Sequence, residues 1–204
     1  VQVVRANRAH PEMADGVGNT YNHAPNITWW RGQFYLAYLS NPVHEHLGAG
    51  QTFLCTSPDA LHWSKPRTLF EPYPLDLSLD NGPHSDLFEE GNAYACMHQR
   101  MNFYIAPDGR LLALGFYGLA PEVFTMPCMG NGIGRMVREI YPDGAFGPVY
   151  VALYSTRCGY NRETCRFPYY KDSEDAGFVA AVDSLLADKL TTLQWWEENR
   201  DCPD

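Results

Sequence analysis

The sequence predicts an all-β chain of propeller-type blades, and three observations carry that expectation. Apolar runs recur as strand, turn, strand units at a period consistent with blades. Aromatic residues reach 14%, with 13 Tyr, 10 Phe and 5 Trp, a bias that favours strands and carbohydrate-facing surfaces. A Ser-x-Asp turn at Ser57 to Asp59, closed by Trp63, suits a hairpin whose aspartate accepts backbone N–H bonds while the ring covers the turn.

Taken in order, residues 1 to 20 are polar and Gly-rich, a lead-in with at most one short strand around Val3-Val4. Arg31-Gly32 then separates two aromatic runs, Ile27 to Trp30 and Gln33 to Leu39, which reads as a β-hairpin. Gln51 to Thr56 supplies a third strand. Glu71 to Pro83 is rich in Pro, Asp and Leu and reads as a surface insertion. Strand signals return at Ala93 to Met97. Asn102 to Ala106 and Arg110 to Leu114 flank Pro107-Asp108-Gly109, a strong hairpin signal. Met136 to Ile140 and Val149 to Leu153 repeat the design around Pro142-Asp143-Gly144. From Asp175 to Asn199 the apolar residues fall at spacings of three and four, which predicts a helix with an acidic start at Ser173, Glu174 and Asp175. Such a C-terminal helix excursion is expected to pack over a blade.

Composition excludes several classes. With 45% hydrophobic and 19% charged residues the chain is not disordered, and 204 residues are enough for a sizeable core without disulfides. The formal charge of −9 argues against nucleic-acid binding, which needs clustered Lys and Arg. It leaves an anionic sugar open, because one local arginine can hold a carboxylate. No apolar run reaches membrane-spanning length. The six cysteines include no Cys-x-x-Cys pair. Cys55 and Cys96 read as buried thiols, and Cys158 and Cys165, flanking a loop, are open to a disulfide, a metal site or two thiols, the last being favoured.

Two histidine-bearing segments bracket the first hairpin: Tyr21-Asn22-His23-Ala24-Pro25 before it, and Ser40-Asn41-Pro42-Val43-His44-Glu45-His46 after it. Further on, Phe116-Tyr117-Gly118 and Gly134-Arg135-Met136-Val137-Arg138-Glu139-Ile140 add a phenol and a guanidinium at strand edges. Together with the shortened, glycine-free Asp-box ending at Trp63, and with Gly147-Pro148-Val149-Tyr150, these motifs resemble, in their order, the ulvan lyases and the related L-rhamnose-glucuronate lyases.

The resemblance implies a sialidase-like propeller, seven-bladed in full. A chain of 204 residues cannot supply that many four-stranded blades, so a single but incomplete propeller domain over residues 1–204 is expected. It implies β-elimination at glucuronate, with rhamnosyl-glucuronate linkages as substrate. His23 and one of His44 or His46 would move protons, Tyr117 would stand beside them, and Arg135 would neutralise the uronate carboxylate. His44 and His46, two apart, are alternatives. Arg135 and Arg138 fall on opposite strand faces, and one of them is expected to pair with an acid such as Glu139 or Glu163. No cofactor is required for this chemistry; relatives admit a structural zinc or calcium ion whose ligands no spacing identifies. The implied partner is an anionic polysaccharide or oligosaccharide, with neither nucleic acid nor membrane, and a polymeric substrate implies a secreted or periplasmic location. Two other classes compete: a sialidase-like or rhamnosidase-type glycoside hydrolase, for which Glu45, Asp86, Glu89 and Glu122 are available carboxylates, and a non-catalytic carbohydrate-binding propeller.

Overall fold

The computed structural model describes residues 1–45, 50–76, 94–97, 101–119 and 131–200, without the side chains of 197–200. Two antiparallel sheets stand face to face. The first is a four-stranded meander, β1 (Tyr21–Trp30), β2 (Gln33–Asn41), β3 (Gln51–Ser57) and β4 (Arg67–Phe70), in the order β1-β2-β3-β4. The second runs β10-β9-β8-β6-β5, from β5 (Tyr73–Pro74), β6 (Tyr94–Met97), β8 (Leu111–Leu119), β9 (Gly132–Ile140) and β10 (Tyr150–Tyr154). β7 (Asn102–Ile105) also pairs with β8, so β6 and β7 share one edge of that strand. Each sheet is a blade of the expected propeller.

Local chemistry accounts for the turns. Arg31 and Gly32 both take positive φ, 50° and 79°, the pattern of the tight hairpin turn whose twist matches the flanking strands. The Asp-box closes β3 onto β4: Asp59 Oδ1 accepts from the N–H groups of Leu61 and His62, both at 2.8 Å, and its Oδ2 lies 2.7 Å from His62 Nδ1. Trp63 donates to Ala60 O at 3.1 Å and packs on the sheet. The Asp108-Gly109 turn closes β7 onto β8, with Ala106 N–H donating to Arg110 O at 2.9 Å. Trp30 Nε1 donates to Gly109 O at 2.9 Å, which ties the turn end of the first sheet to that of the second.

The main core lies between the sheets. Trp30, Tyr35, Ala37, Leu39, Leu54 and Phe70 meet Met97, Leu111, Ala113, Tyr117, Ile133, Met136 and Val151 there. Every residue of β8 is buried, because the opposite face of its sheet is also covered. Leu112, Leu114, Val137 and Ala152 pack there against Phe178, Ala181, Val182, Leu185 and Trp195 of the C-terminal helices. A strand apolar on both faces is the signature of such double cover.

Two details differ from the sequence reading. The single C-terminal helix is two, α1 (Ala176–Ala187) and α2 (Lys189–Arg200), because Asp188 leaves helical geometry and caps the second with bonds from Leu190 and Thr191 N–H at 3.1 and 3.2 Å. The surface insertion begins with a short strand, since Tyr73–Pro74 joins the edge of the second sheet, a position where proline's missing N–H is tolerated. The part of that insertion beyond residue 76 lies outside the described residues, as do Asp86, Glu89, Glu122, Cys128 and Cys202. Cys55, Cys96, Cys158 and Cys165 are buried thiols. Among the described residues no helix is long and apolar enough to cross a membrane.

Candidate functional site

The start of β1 and the loop after β2 meet at one edge of the first sheet, since Tyr21 pairs with Asn41 and His23 with Leu39. Between His23 and Asn26 the register shifts, with Ala24 at φ 49° and Pro25 next. A bulge of this kind gives proline a place in a strand and re-aims the side chains beside it. Tyr21 and His23, two apart, share one face, and their rings stand edge to face at 5.7 Å.

Glu45 completes the cluster. Its Oε1 lies 3.5 Å from His23 Nδ1, and its carboxylate stands near the Tyr21 phenol. Burial first, and then the nearby carboxylate of Glu45, push the Tyr21 phenol up to about 12. The histidine is 45% exposed and the carboxylate 22%, so substrate can reach both. The loop is braced from beneath. Asn41 Nδ2 donates to His44 O at 2.8 Å and also to Glu45 O, while Cys96 Sγ of the second sheet lies 3.2 Å from Glu45 O. Gly50 is required for this: a Cβ there would sit 2.1 Å from Asn41 Oδ1. A cavity of about 300 Å³ opens beside His23, lined by Val3, Val4, Asn22, Pro25, Leu36 and Tyr38.

A phenol, an imidazole and a carboxylate in mutual reach can hold and pass a proton. Glu45 stands on the Nδ1 side of His23, which leaves Nε2 for a proton transfer, and it can take up the Tyr21 proton if that oxygen attacks a carbon.

The residues expected from sequence are not all gathered here. His23 is at the cluster, but the side chain of His44 is exposed to solvent, and it is the backbone carbonyl of this residue that Asn41 engages. His46 lies outside the described residues. Tyr117 stands in the core between the sheets, donating to Glu71 O and stacked on Phe167 at 5.8 Å. Burial raises its phenol well above the ordinary range. It backs the core on which Tyr21 packs, and only 2% of its surface is exposed.

Arg135 is on the other face of the second sheet. Its guanidinium lies over Phe116 at 4.7 Å and Trp195 at 5.3 Å, on the side that the helices cover. The structure therefore does not bring Arg135 beside His23, and strand parity is the reason: Tyr117 and Phe116 alternate along β8, and Arg135 is the cross-strand partner of Phe116. Arg138, on the inter-sheet face, spends its donors on backbone carbonyls, reaching Leu69 O at 2.6 Å and Gly147 O at 2.8 Å. The acid expected to pair with one of these arginines, Glu139, is held instead by Arg110 at 2.7 Å.

Sequence reasoning passed over Tyr21 and counted Glu45 only as one of four available carboxylates. Both stood in the histidine motifs, but nothing local distinguishes a carboxylate that will face a histidine on a neighbouring strand. Among the described residues no group of three or more His, Cys, Asp or Glu is placed to hold a metal ion.

Two antiparallel sheets with an Asp-box and a core between them point to one architecture, and comparison with known families agrees: the BT_1020-like, N-terminal beta propeller family matches residues 1–203. The chain belongs to that family. Its propeller is similar to a solved structure named Sialidase, with TM-score 0.85 and 43% identity over 97% of this chain and 18% of the other. The chain thus spans under a fifth of the length of that relative. More distant likenesses include a xylan β-1,4-xylosidase from Bacillus halodurans C-125 (TM-score 0.41, 18% identity, 65% of this chain and 20% of the other). An N-acetylgalactosamine deacetylase from F. plautii, solved with blood group B trisaccharide, gives TM-score 0.39 and 14% identity over 64% of this chain and 30% of the other. At that level neither bears on the chemistry here. A comparison with curated proteins found no match. The propeller expected from sequence is the fold of this family, and the finer likeness to ulvan lyases is a matter of proposal.

Proposed function

We propose that this chain is the propeller portion of an enzyme that cleaves glycosidic bonds in an acidic carbohydrate, with Tyr21, His23 and Glu45 as its proton-handling cluster. The observation that carries this reading is Glu45, whose carboxylate stands 3.5 Å from His23 and close enough to the Tyr21 phenol to raise it. The similarity to a protein named Sialidase over 97% of the chain favours hydrolysis and an acidic sugar. In that reaction the Tyr21 oxygen attacks the anomeric carbon, its proton passes to Glu45, and imidazolium His23 gives a proton to the departing oxygen. Water then displaces Tyr21 from the sugar, giving up a proton to the now neutral His23, and the phenol regains its proton from Glu45. No cofactor enters these steps. An anionic oligosaccharide or polysaccharide is the partner, and a polymeric substrate would be met in a secreted or periplasmic location.

Elimination at a rhamnosyl-glucuronate linkage is the second reading. It uses the same histidine: Nε2 takes the proton beside the carboxylate and hands it to the departing oxygen as the double bond forms. It also needs a cation at that carboxylate, and Arg135, packed under the helices, would have to be replaced in that role by another group.

One experiment separates them. The natural full-length protein is incubated with sialosides, with ulvan and with rhamnose-capped glucuronides, following released reducing sugar and ultraviolet absorbance together. Hydrolysis releases reducing ends without absorbance, and Tyr21→Phe abolishes it. Elimination creates a conjugated double bond, so absorbance rises, is lost in His23→Ala and survives Tyr21→Phe. Silence in both channels, with sugar still bound, would replace both readings by that of a binding propeller.

A further inference from the structure

Asn41 is both a strand residue and a clamp on the loop that follows it. Its backbone ends β2 directly opposite Tyr21, so the two side chains share a face of the sheet. From there Asn41 Nδ2 donates to His44 O at 2.8 Å and to Glu45 O. One residue thus sets the separation between the phenol on β1 and the carboxylate on the loop. The two carbonyls also fix the orientation of the amide, because Oδ1 turned toward them would meet only acceptors. Asn41 is 0% exposed, and its Oδ1 has no hydrogen-bond partner among the described residues. An apolar side chain of the same size would avoid that loss, so the two donations are what an asparagine adds here. The second sheet supplies another anchor. Cys96 of β6 is also 0% exposed, and its Sγ lies 3.2 Å from Glu45 O, closer than to Met97 O at 3.6 Å. Burial pushes this thiol up to about 12, so at neutral pH it keeps the proton that it donates. The residue whose carboxylate stands 3.5 Å from His23 is therefore pinned at its carbonyl from both blades.

We propose that Asn41 and Cys96 are positioning residues for the reaction, holding the Glu45 backbone from the two sheets so that its carboxylate serves both His23 and Tyr21. The inference rests on the proposed function, which makes Glu45 the acceptor of the Tyr21 proton. Both residues are buried beneath the loop and act through Glu45 alone. Because the anchors lie on different blades, the site is complete only when the two blades are packed together. Gly50 belongs to the same device: a Cβ there would sit 2.1 Å from Asn41 Oδ1 and would drive the amide off its two carbonyls.

Two readouts on the natural full-length protein test this: kinetics on the acidic carbohydrate, and carbon nuclear magnetic resonance of ring-labelled tyrosine, with the Tyr21 signal assigned by its loss in Tyr21→Phe. Asn41→Leu is close in size and gives up both donors. It is expected to lower kcat by about 10²-fold, the effect of a shift of about 1 Å at a reacting group, with KM little changed. The Tyr21 phenol should then titrate below its native value of about 12, because the Glu45 carboxylate has moved away. Gly50→Ala leaves Asn41 in the sequence but displaces its amide, and should reproduce both effects. Cys96→Ala should lower kcat roughly threefold, the equivalent of one weak hydrogen bond, and Cys96→Ser, which restores a donor, should recover most of it. Arg8→Ala removes an exposed bond of 2.9 Å to Pro42 O in the same loop and should change neither readout. An unmoved phenol in both Asn41→Leu and Gly50→Ala overturns the proposal whatever happens to kcat, and a native kcat in both overturns it as well. Should Asn41→Leu lose amide-exchange protection across β1 and β2, Gly50→Ala decides; the same loss in both makes Asn41 a structural residue only and overturns the proposal. Full activity in Glu45→Gln would instead sink the proposed function, and the phenol titration would still decide whether Asn41 places Glu45.

Discussion

Two polar clusters in this chain use the same kinds of side chain and do different things. Around Arg110 the guanidinium meets Asp108 at 3.0 Å, Glu139 at 2.7 Å and Asp175 at 2.8 Å, so one cation serves three carboxylates that join the β7–β8 turn, β9 and the start of α1. Asp175 also caps α1, accepting from Phe178 N–H at 3.0 Å. Around Glu45, by contrast, one carboxylate faces a phenol and an imidazole, and the histidine is open to solvent. The first cluster has spent its hydrogen bonds on holding a helix to a blade. The second keeps a proton within reach of three groups, with a cavity alongside. Saturation marks a brace and residual capacity marks a site, although the residues read alike in a sequence.

The sharpest way to break that distinction is Glu45→Gln. The amide keeps the size of the side chain but can neither receive the Tyr21 proton nor hold imidazolium. A loss of roughly 10²–10⁴-fold in kcat is expected on whichever acidic carbohydrate the natural full-length protein cleaves, with exchange protection of the β1 and β2 amides unchanged. A fall in that protection, comparable with the loss of rate, would show Glu45 to be a brace like Arg110.

The reverse substitution sharpens the other half. Arg110→Met strands Glu139, whose side chain is only 8% exposed. Leaving a buried carboxylate unpaired costs about 3–5 kcal/mol in a dry site, and the partial exposure of Arg110 brings the expected cost nearer 2 kcal/mol. Native-state hydrogen exchange of the α1 amides should accelerate about 30-fold, the equivalent of that energy. kcat on the same carbohydrate should not move. If activity fell with the helix intact, the cluster at Arg110 would be part of the chemistry.

The contrast also shows what a sequence can carry. The hairpins at Arg31-Gly32, Asp108-Gly109 and Asp143-Gly144 and the Asp-box were legible because each is written within a few adjacent residues. His23 was legible as a residue type in a motif. Its partners were not, because the Glu45 side chain meets His23 and Tyr21 only once β2 has folded back on β1 and Asn41 has turned the loop inward. Arg135 illustrates the same limit from the other side. Alternation says that Arg135 and Arg138 face opposite ways, but only the pairing of β9 with β8 says which of those faces the helices cover. The break at Asp188 was hidden by spacing, since apolar residues at three and four continue across it in both helices.

The smallest effect tests whether the brace is electrostatic or geometric. The Asp175 carboxyl sits below the usual range, first because it accepts from Phe178 N–H and next because of Arg110. A depressed carboxylate contributes stability that is fully present above its unfolded value, about 3.9, and is lost as pH falls through the folded value. Glu139 works the other way, since burial raises its carboxyl, but it is common to both proteins in a comparison of wild type with Asp175→Asn. Asparagine caps a helix about as well as aspartate, so the variant removes the charge and keeps the acceptor. With a side chain 47% exposed, screening limits the effect to about 0.5 kcal/mol, roughly a twofold faster exchange of the first α1 amides at neutral pH. The two proteins should converge as pH falls through the lowered folded value of Asp175, where the wild-type carboxylate loses its charge. A difference that persisted there would mean that the bond geometry at Phe178, and not the charge shared with Arg110, holds the helix to the blade.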